Sequence, residues 1–175
     1  MRIVIGIDPA ATRLAAVIAS GTRKSPVLIR AIKSTIADRW EPSTAGAALE
    51  WAQDVLSIAN GFGEPSVYIE APLVGRGGFS STAKQAFISG AIQAAFATEG
   101  VPVRLINVQS WKKELANGSK IPAGKPAIAR LLGIEWPAAL ADSCGDEDIV
   151  DAAGITLSGL AIEARIDRVE RDGGL

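Results

Sequence analysis

The chain has no histidine, one cysteine, one methionine and one tyrosine among its 175 residues, and only 5% of them are aromatic. Each scarcity removes something. Without histidine there is no Ser-His-Asp triad, no Cys-His pair, no His-ligated zinc and no imidazole base, so chemistry falls to carboxylates and lysines. The lone Cys144 cannot close a disulfide within the chain, which agrees with a reducing compartment. No apolar run reaches the length of a membrane span, and the N-terminus has a strand pattern in place of a charged leader with a cleavage site. An intracellular protein with no membrane partner is the expectation.

What is present describes one globular domain over residues 1–175, with 48% hydrophobic and 21% charged residues. The net charge of −1 hides a segregation. Residues 1–33 carry six Lys/Arg against one acid and residues 104–130 again six against one, whereas 34–103 carry three against seven and 131–175 three against ten. Two basic segments set among acidic ones can build one positive face on a nearly neutral protein, the footprint a polyanion needs.

The first strand pattern, Ile3, Val4, Ile5 and Ile7, is a near-continuous β-branched run suited to a strand buried on both faces, and Asp8 follows it directly. An ionised carboxylate there is costly unless a metal, a cation or several donors compensate it. Pro9 stops the strand. Leu14–Ala19 returns antiparallel, Gly21–Lys24 reads as a turn, and Val27–Ile32 forms a third strand of a meander. Residues 44–59 have helical spacing, with Ser43 before and Gly61 and Gly63 after. Ser66–Ile69 then repeats the opening pattern, a short buried strand closing on a lone acid, Glu70, and halted by Pro72. Strand, helix and strand in that order make parallel neighbours, with both acids at carboxyl ends, where α/β sheets place ligands.

Leu73–Ser80, with three glycines, is predicted as a mobile loop, and Ser81–Thr98 as a helix with Ala83, Phe87, Gly90, Ala91, Ala94 and Ala95 along one face. A strand over 101–108, a short helix over 109–116, a basic loop over 117–126 and a helix over 127–132 come next. The last helix begins near Gly145, with Asp146 or Glu147 as its cap, and runs to about Glu163. Along it, 148, 151, 155, 159 and 162 form one stripe reading Asp, Asp, Ile, Gly, Ile. The i, i+3 spacing sets the carboxylates of Asp148 and Asp151 side by side, and like charges so close call for a shared cation.

Asp8, Glu70, Asp148 and Asp151 thus form an oxygen-only donor set, which selects hard cations such as Mg²⁺ or Mn²⁺ and suits phosphate chemistry. Two ions about 3.5–4 Å apart activate a water and stabilise the leaving 3′ oxygen of an in-line displacement.

The order of three meander strands, helix, strand, helix, strand and final helix, with GIDPAATRLA, YIEAP and DEDIVDAA at its stations, resembles the RNase H-like fold. Within it the chain resembles the RuvC family of Holliday-junction resolvases over nearly its whole length. The resemblance implies an α/β domain with a mixed five-stranded sheet and helices on both faces. It implies a structure-selective endonuclease of the cytoplasm, in a bacterial or phage-infected host cell, acting on branched DNA as a homodimer with two metal ions per site. By similarity Asp8, Glu70, Asp148 and Asp151 are the catalytic metal ligands, the neighbouring Glu147 being a further acid at the pair. Lys112, in Ser-Trp-Lys, and Lys125, in Ala-Gly-Lys, match two lysines that lie near the scissile phosphate.

The chain departs from the family pattern in three places. Ala10-Ala11 follows the Asp-Pro where Gly-Ser is usual, Leu73 stands where an aromatic wedge often follows the glutamate, and the pI of about 5.5 is acidic for a resolvase. Phe79, further along the same loop, is the alternative wedge beside Leu73. Arg76, Lys113 and Lys120, with Lys112, Lys125 and Arg13, are expected along the DNA path, and the Ala/Gly face of 83–95 at the dimer seam. The rival readings are an actin-like ATP-binding domain, for which the chain lacks a second domain, a YqgF-like RNA-processing nuclease, and a catalytically silent interaction module. Retained costly acids argue against the last.

Overall fold

The computed structural model describes residues 2–36, 42–72, 78–119 and 124–173, the side chains of Pro42 and Phe79 excepted. In chain order the elements are β1 (Ile3–Pro9), β2 (Arg13–Thr22), β3 (Ser25–Thr35), α1 (Pro42–Asn60), β4 (Pro65–Glu70), α2 (Gly78–Thr98), β5 (Val103–Ile106), α3 (Val108–Leu115), α4 (Lys125–Glu135), α5 (Pro137–Ser143) and α6 (Glu147–Gly173). The five strands form one sheet in the order β3-β2-β1-β4-β5. β1, β2 and β3 are the antiparallel meander, and β4 and β5 continue the sheet parallel to β1.

Strand alternation sorts the core into two halves. Ile3, Ile5 and Ile7 of β1, with Val67 and Ile69 of β4, pack against Ala52 and Val55 of α1 and Ile92 and Phe96 of α2. Val4 and Tyr68, with Ala15, Val17 and Ala19 of β2, face α6 instead. Burial on both sides is why these strands read as unbroken apolar runs. The same period of two carries Asp8 onto the α6 face after Val4 and Gly6, and Glu70 after Tyr68.

α6 is buried on nearly every side from Asp148 to Ala161. Its inner side lies on the sheet, and α3, α4 and α5 cover its outer side through Trp111, Leu115, Ile128, Leu132 and Ala139. Small residues set how closely it approaches. A Cβ at Gly6 would come within 2.3 Å of Thr156 Oγ1 and 2.6 Å of the Ala152 carbonyl oxygen, and one at Gly159 within 2.6 Å of Val4 Cγ1. The Thr156 hydroxyl, 3.0 Å from the Val17 carbonyl, ties the same turn of α6 to β2.

Several boundaries differ from the sequence expectation. β5 ends at Ile106, not Val108, because the Asn107 side chain accepts the Gln109 N–H at 2.8 Å and caps α3 there. α5 was not expected; Trp136 ends α4 and Pro137 starts the next helix. α6 runs ten residues beyond Glu163, which lies buried inside it and holds Arg2, Tyr68 and Arg104; Arg2 also pairs with Asp167 and Glu170 of the extension. On α2 the core side is Ile88, Ile92, Ala95 and Phe96. Of the Ala/Gly face, Ala95 therefore turns inward, while Phe87, Gly90 and Ala94 are exposed. Among the described residues no helix is long and apolar enough to cross a membrane.

Gly6→Ala should lower unfolding stability by roughly 1–3 kcal/mol, at the upper end or beyond, because the atoms it meets are helix backbone as well as the Thr156 side chain. Urea unfolding followed by circular dichroism checks this, and a loss under about 0.5 kcal/mol would mean that α6 can lift off the sheet freely.

Candidate active site

The site lies at the carboxyl ends of β1 and β4, beneath the first turn of α6. β1 delivers Asp8 and β4 delivers Glu70 from adjacent parallel strands, registered to the last pair Ile7 and Ile69. α6 delivers Asp148 and Asp151. Its start is set by Asp146, whose side chain accepts the N–H groups of Asp148 at 3.0 Å and Ile149 at 3.2 Å. That cap resolves which acid opens the helix and turns Glu147 outward.

The acids feel one another. Burial, then the charges of Glu70, Asp151 and Asp148, hold the Asp8 carboxyl well above the usual carboxylate range, and Lys125 only partly offsets this. Burial likewise raises Glu70, opposed by the hydrogen bond from Trp111 and by Lys112 and Lys125. Asp151 is raised by burial first, and Lys112 and Lys125 are again the cations that oppose it. These two lysines come from α3 and α4, elements that the fold brings to the acids from outside the sheet.

Asp148 has partners that the sequence did not disclose. Its Oδ2 atom lies 2.8 Å from Lys33 Nζ and 3.3 Å from Arg13 Nε. These are ion-pair distances without hydrogen-bond geometry, and the buried oxygen makes no hydrogen bond. Lys33 also pairs with Asp146, and the two carboxylates together push its ammonium up. For Asp146 burial acts upward, but Lys33 and the Ile149 and Asp148 N–H groups bring it below the usual range. Lys33 on β3 shares a register row with Ala15 on β2 and, beyond it, Asp8 on β1. That row is visible only once the strands are paired.

Lys125 donates to Glu147 at 2.8 Å, and a cleft of about 200 Å³ beside them is lined by Lys125, Pro126, Ala129, Val150 and Asp151. Lys113 is exposed on α3. Arg13 sits on Asp148. Leu73, Arg76, Lys120 and the side chain of Phe79 lie outside the described residues. Trp111, whose indole N–H donates to Glu70 at 2.7 Å, is a further contact that the sequence did not disclose, although it stands next to Lys112.

No protein-family model matches the chain, and no curated protein sequence does. Solved structures do. RuvC of Thermus thermophilus in complex with a Holliday junction substrate superposes with a TM-score of 0.77 at 21% identity, over 94% of this chain and 96% of that one. A second Thermus thermophilus RuvC structure gives 0.74 at 23%, with 94% and 96% covered. Ydc2, the yeast mitochondrial Holliday junction resolvase, gives 0.70 at 14%, with 96% and 81% covered.

The fold is that of RuvC. The five-stranded mixed sheet with helices on both faces, which the resemblance implies, is therefore the observed one. On this RuvC fold the four acids meet although they stand up to 143 positions apart in the chain.

The donor set fits a divalent cation: every group is a carboxylate, the charges repel as placed, and one buried oxygen of Asp148 has no hydrogen bond. Among the described residues no three acids are closed into a ready-made cage. Asp148 is paired with Lys33 and Arg13 instead.

Because the Asp8 carboxyl is raised in the folded chain, the unfolded chain ionises first as pH increases, and folding stability falls from the ordinary carboxylate range up to the folded value. Asp8→Asn removes that loss. In chelator at neutral pH the variant should be more stable than the parent by about 1 kcal/mol, or roughly 2–4 °C in Tm, with no gain in acid. Thermal melts across pH read this, and equal melting at neutral pH would show that Asp8 carries no such strain.

Proposed function

We propose that the chain is a metal-dependent endonuclease that hydrolyses phosphodiester bonds in branched DNA, the four-way junction foremost. The observation that carries this reading is the meeting of Asp8, Glu70 and Asp151 in one field with Lys112 and Lys125, at the strand ends of a RuvC fold. Asp8, Glu70, Asp148 and Asp151 would hold Mg²⁺ or Mn²⁺, two ions in all, which when bound supply an activated water and stabilise the leaving 3′ oxygen. The chain's own cations do the rest. Lys112 and Lys125 offset the charge of the acids and offer ammonium groups to a phosphate entering beside them. Lys33 and Arg13 neutralise Asp148 in the DNA-free chain, so they become available to the backbone when a divalent cation takes over that role. The exposed Lys113 extends the path along α3.

Among the described residues no helix presents itself for reading groove edges, so selectivity is assigned to the shape of the junction. Leu73, Arg76, Phe79 and Lys120 retain the roles expected of them, wedge or backbone contact. A panel of four-way, three-way, flap and linear DNA with structured RNA, in Mg²⁺ or Mn²⁺, tests the reading. The four-way junction should be cut fastest, and Asp8→Asn should lose activity by orders of magnitude while still binding. Equal cutting of linear duplex and junction would leave a generic nuclease; cutting of RNA alone would favour an RNA-processing role.

Homodimerisation belongs to the same reading, since a two-fold dimer matches the two symmetric cleavage positions of a four-way junction. Its support is the outward side of α2, where Phe87 is 38% exposed and a Cβ on Gly90 meets nothing within 4 Å. Sedimentation at about micromolar concentration should give a dimer for the parent and a monomer for Gly90→Arg. A monomeric parent, with and without DNA, would overturn the assignment.

A further inference from the structure

Trp111 has no exposed surface, yet its one polar atom is spent on a single bond: Nε1 donates to Glu70 Oε2 at 2.7 Å. Among the described residues the buried indole N–H groups of Trp51 and Trp136 find no hydrogen-bond partner, so burial alone does not bring a tryptophan N–H to an acceptor in this core. Trp111 is also fixed from α6 at two points one turn apart. Its ring lies against Gly154, where a Cβ would come within 2.6 Å of Cζ3, and its carbonyl accepts the Ser158 hydroxyl at 3.1 Å. Gly154 is three residues from Asp151 on the same helix. The contacts therefore run from the helix that carries two of the acids, through one rigid bicyclic side chain, to the acid at the end of β4.

We propose that Trp111 is a positioning residue, which locks Glu70 through Oε2 and presents the rest of that carboxylate to a divalent cation at a set distance from the acids of α6. An indole N–H suits this task because it donates only, in one direction, and cannot itself ligate the cation. Partners that orient a ligating carboxylate have large effects on affinity without touching the metal. The inference rests on the endonuclease reading of the site.

Trp111→Phe keeps an aromatic ring in the core and deletes the donor. With the full chain free of DNA, Mn²⁺ affinity measured by calorimetry and by the metal-dependent rise in Tm should weaken by about ten-fold or more. KM for junction DNA should stay at the parent value, while kcat falls at limiting Mn²⁺ and recovers at high Mn²⁺. Parent-like Mn²⁺ affinity in Trp111→Phe, with affinity lost in Glu70→Gln, overturns the positioning role alone. Unchanged affinity in Glu70→Gln overturns the metal site itself. A measurement on the native residue stands apart from the folding of any variant: the Trp111 indole N–H resonance, assigned through its contacts to Gly154, should move with Mg²⁺ at the midpoint that calorimetry gives for Mg²⁺. A resonance indifferent to Mg²⁺ overturns the proposal.

Discussion

The distance between α6 and β1 governs this molecule. Two of the four acids ride on that helix and a third ends that strand, so a helix lifted by the width of one methyl group would separate them. Gly6 and Gly159 remove the side chains that would keep the surfaces apart, and the Thr156 hydroxyl fastens the same turn. Packing at this seam is dense on both sides, and the interior offers little room for compensation. The helix is consequently enclosed, with the sheet on one side and α3 to α5 on the other, and its apolar residues continue around its circumference.

The electrostatic arrangement opposes folding at the same place. Asp8, Glu70 and Asp151 are each held above the usual carboxylate range, with burial as the first cause. A sequence selected for stability alone would not gather acids there. The fold tolerates them because cations from four elements surround the group: Arg13 on β2, Lys33 on β3, Lys112 on α3 and Lys125 on α4. Each cation is bonded to, or opposes the charge of, a different subset of acids, so the site is a lattice of partial compensation and no single pair dominates it.

The remaining basic residues have another use. Arg23, in the turn after β2, bonds Glu114, the Leu115 carbonyl and Glu135, and so clamps α3 and α4 onto the sheet. Arg104 and Arg2 converge with Tyr68 on the buried Glu163 at the far end of the sheet. The two basic segments of the sequence are therefore split between scaffold and site. A positive face inferred from charge totals alone overstates what is available to a polyanion.

The strand patterns, the acids at their ends and the Asp-x-x-Asp helix start were legible because they depend on local periodicity: two residues per repeat in a strand, three to four in a helix. That was enough for the meander, the parallel neighbours and the placing of Asp8, Glu70, Asp148 and Asp151 at strand ends and a helix start; the RNase H-like architecture came through resemblance, and the strand order only from the paired sheet. Lys112 and Lys125 were singled out only through resemblance, since neither a short helix nor a basic loop says what its lysines will face. α5 escaped notice because seven residues between Trp136 and Cys144 are too few to show a period. Lys33 against Asp148, Arg13 beside it, and Trp111 on Glu70 were decided by tertiary structure alone. They join residues 115, 135 and 41 positions apart, and no chain-local rule specifies which side chains pairing and packing will bring within 3 Å or so of one another.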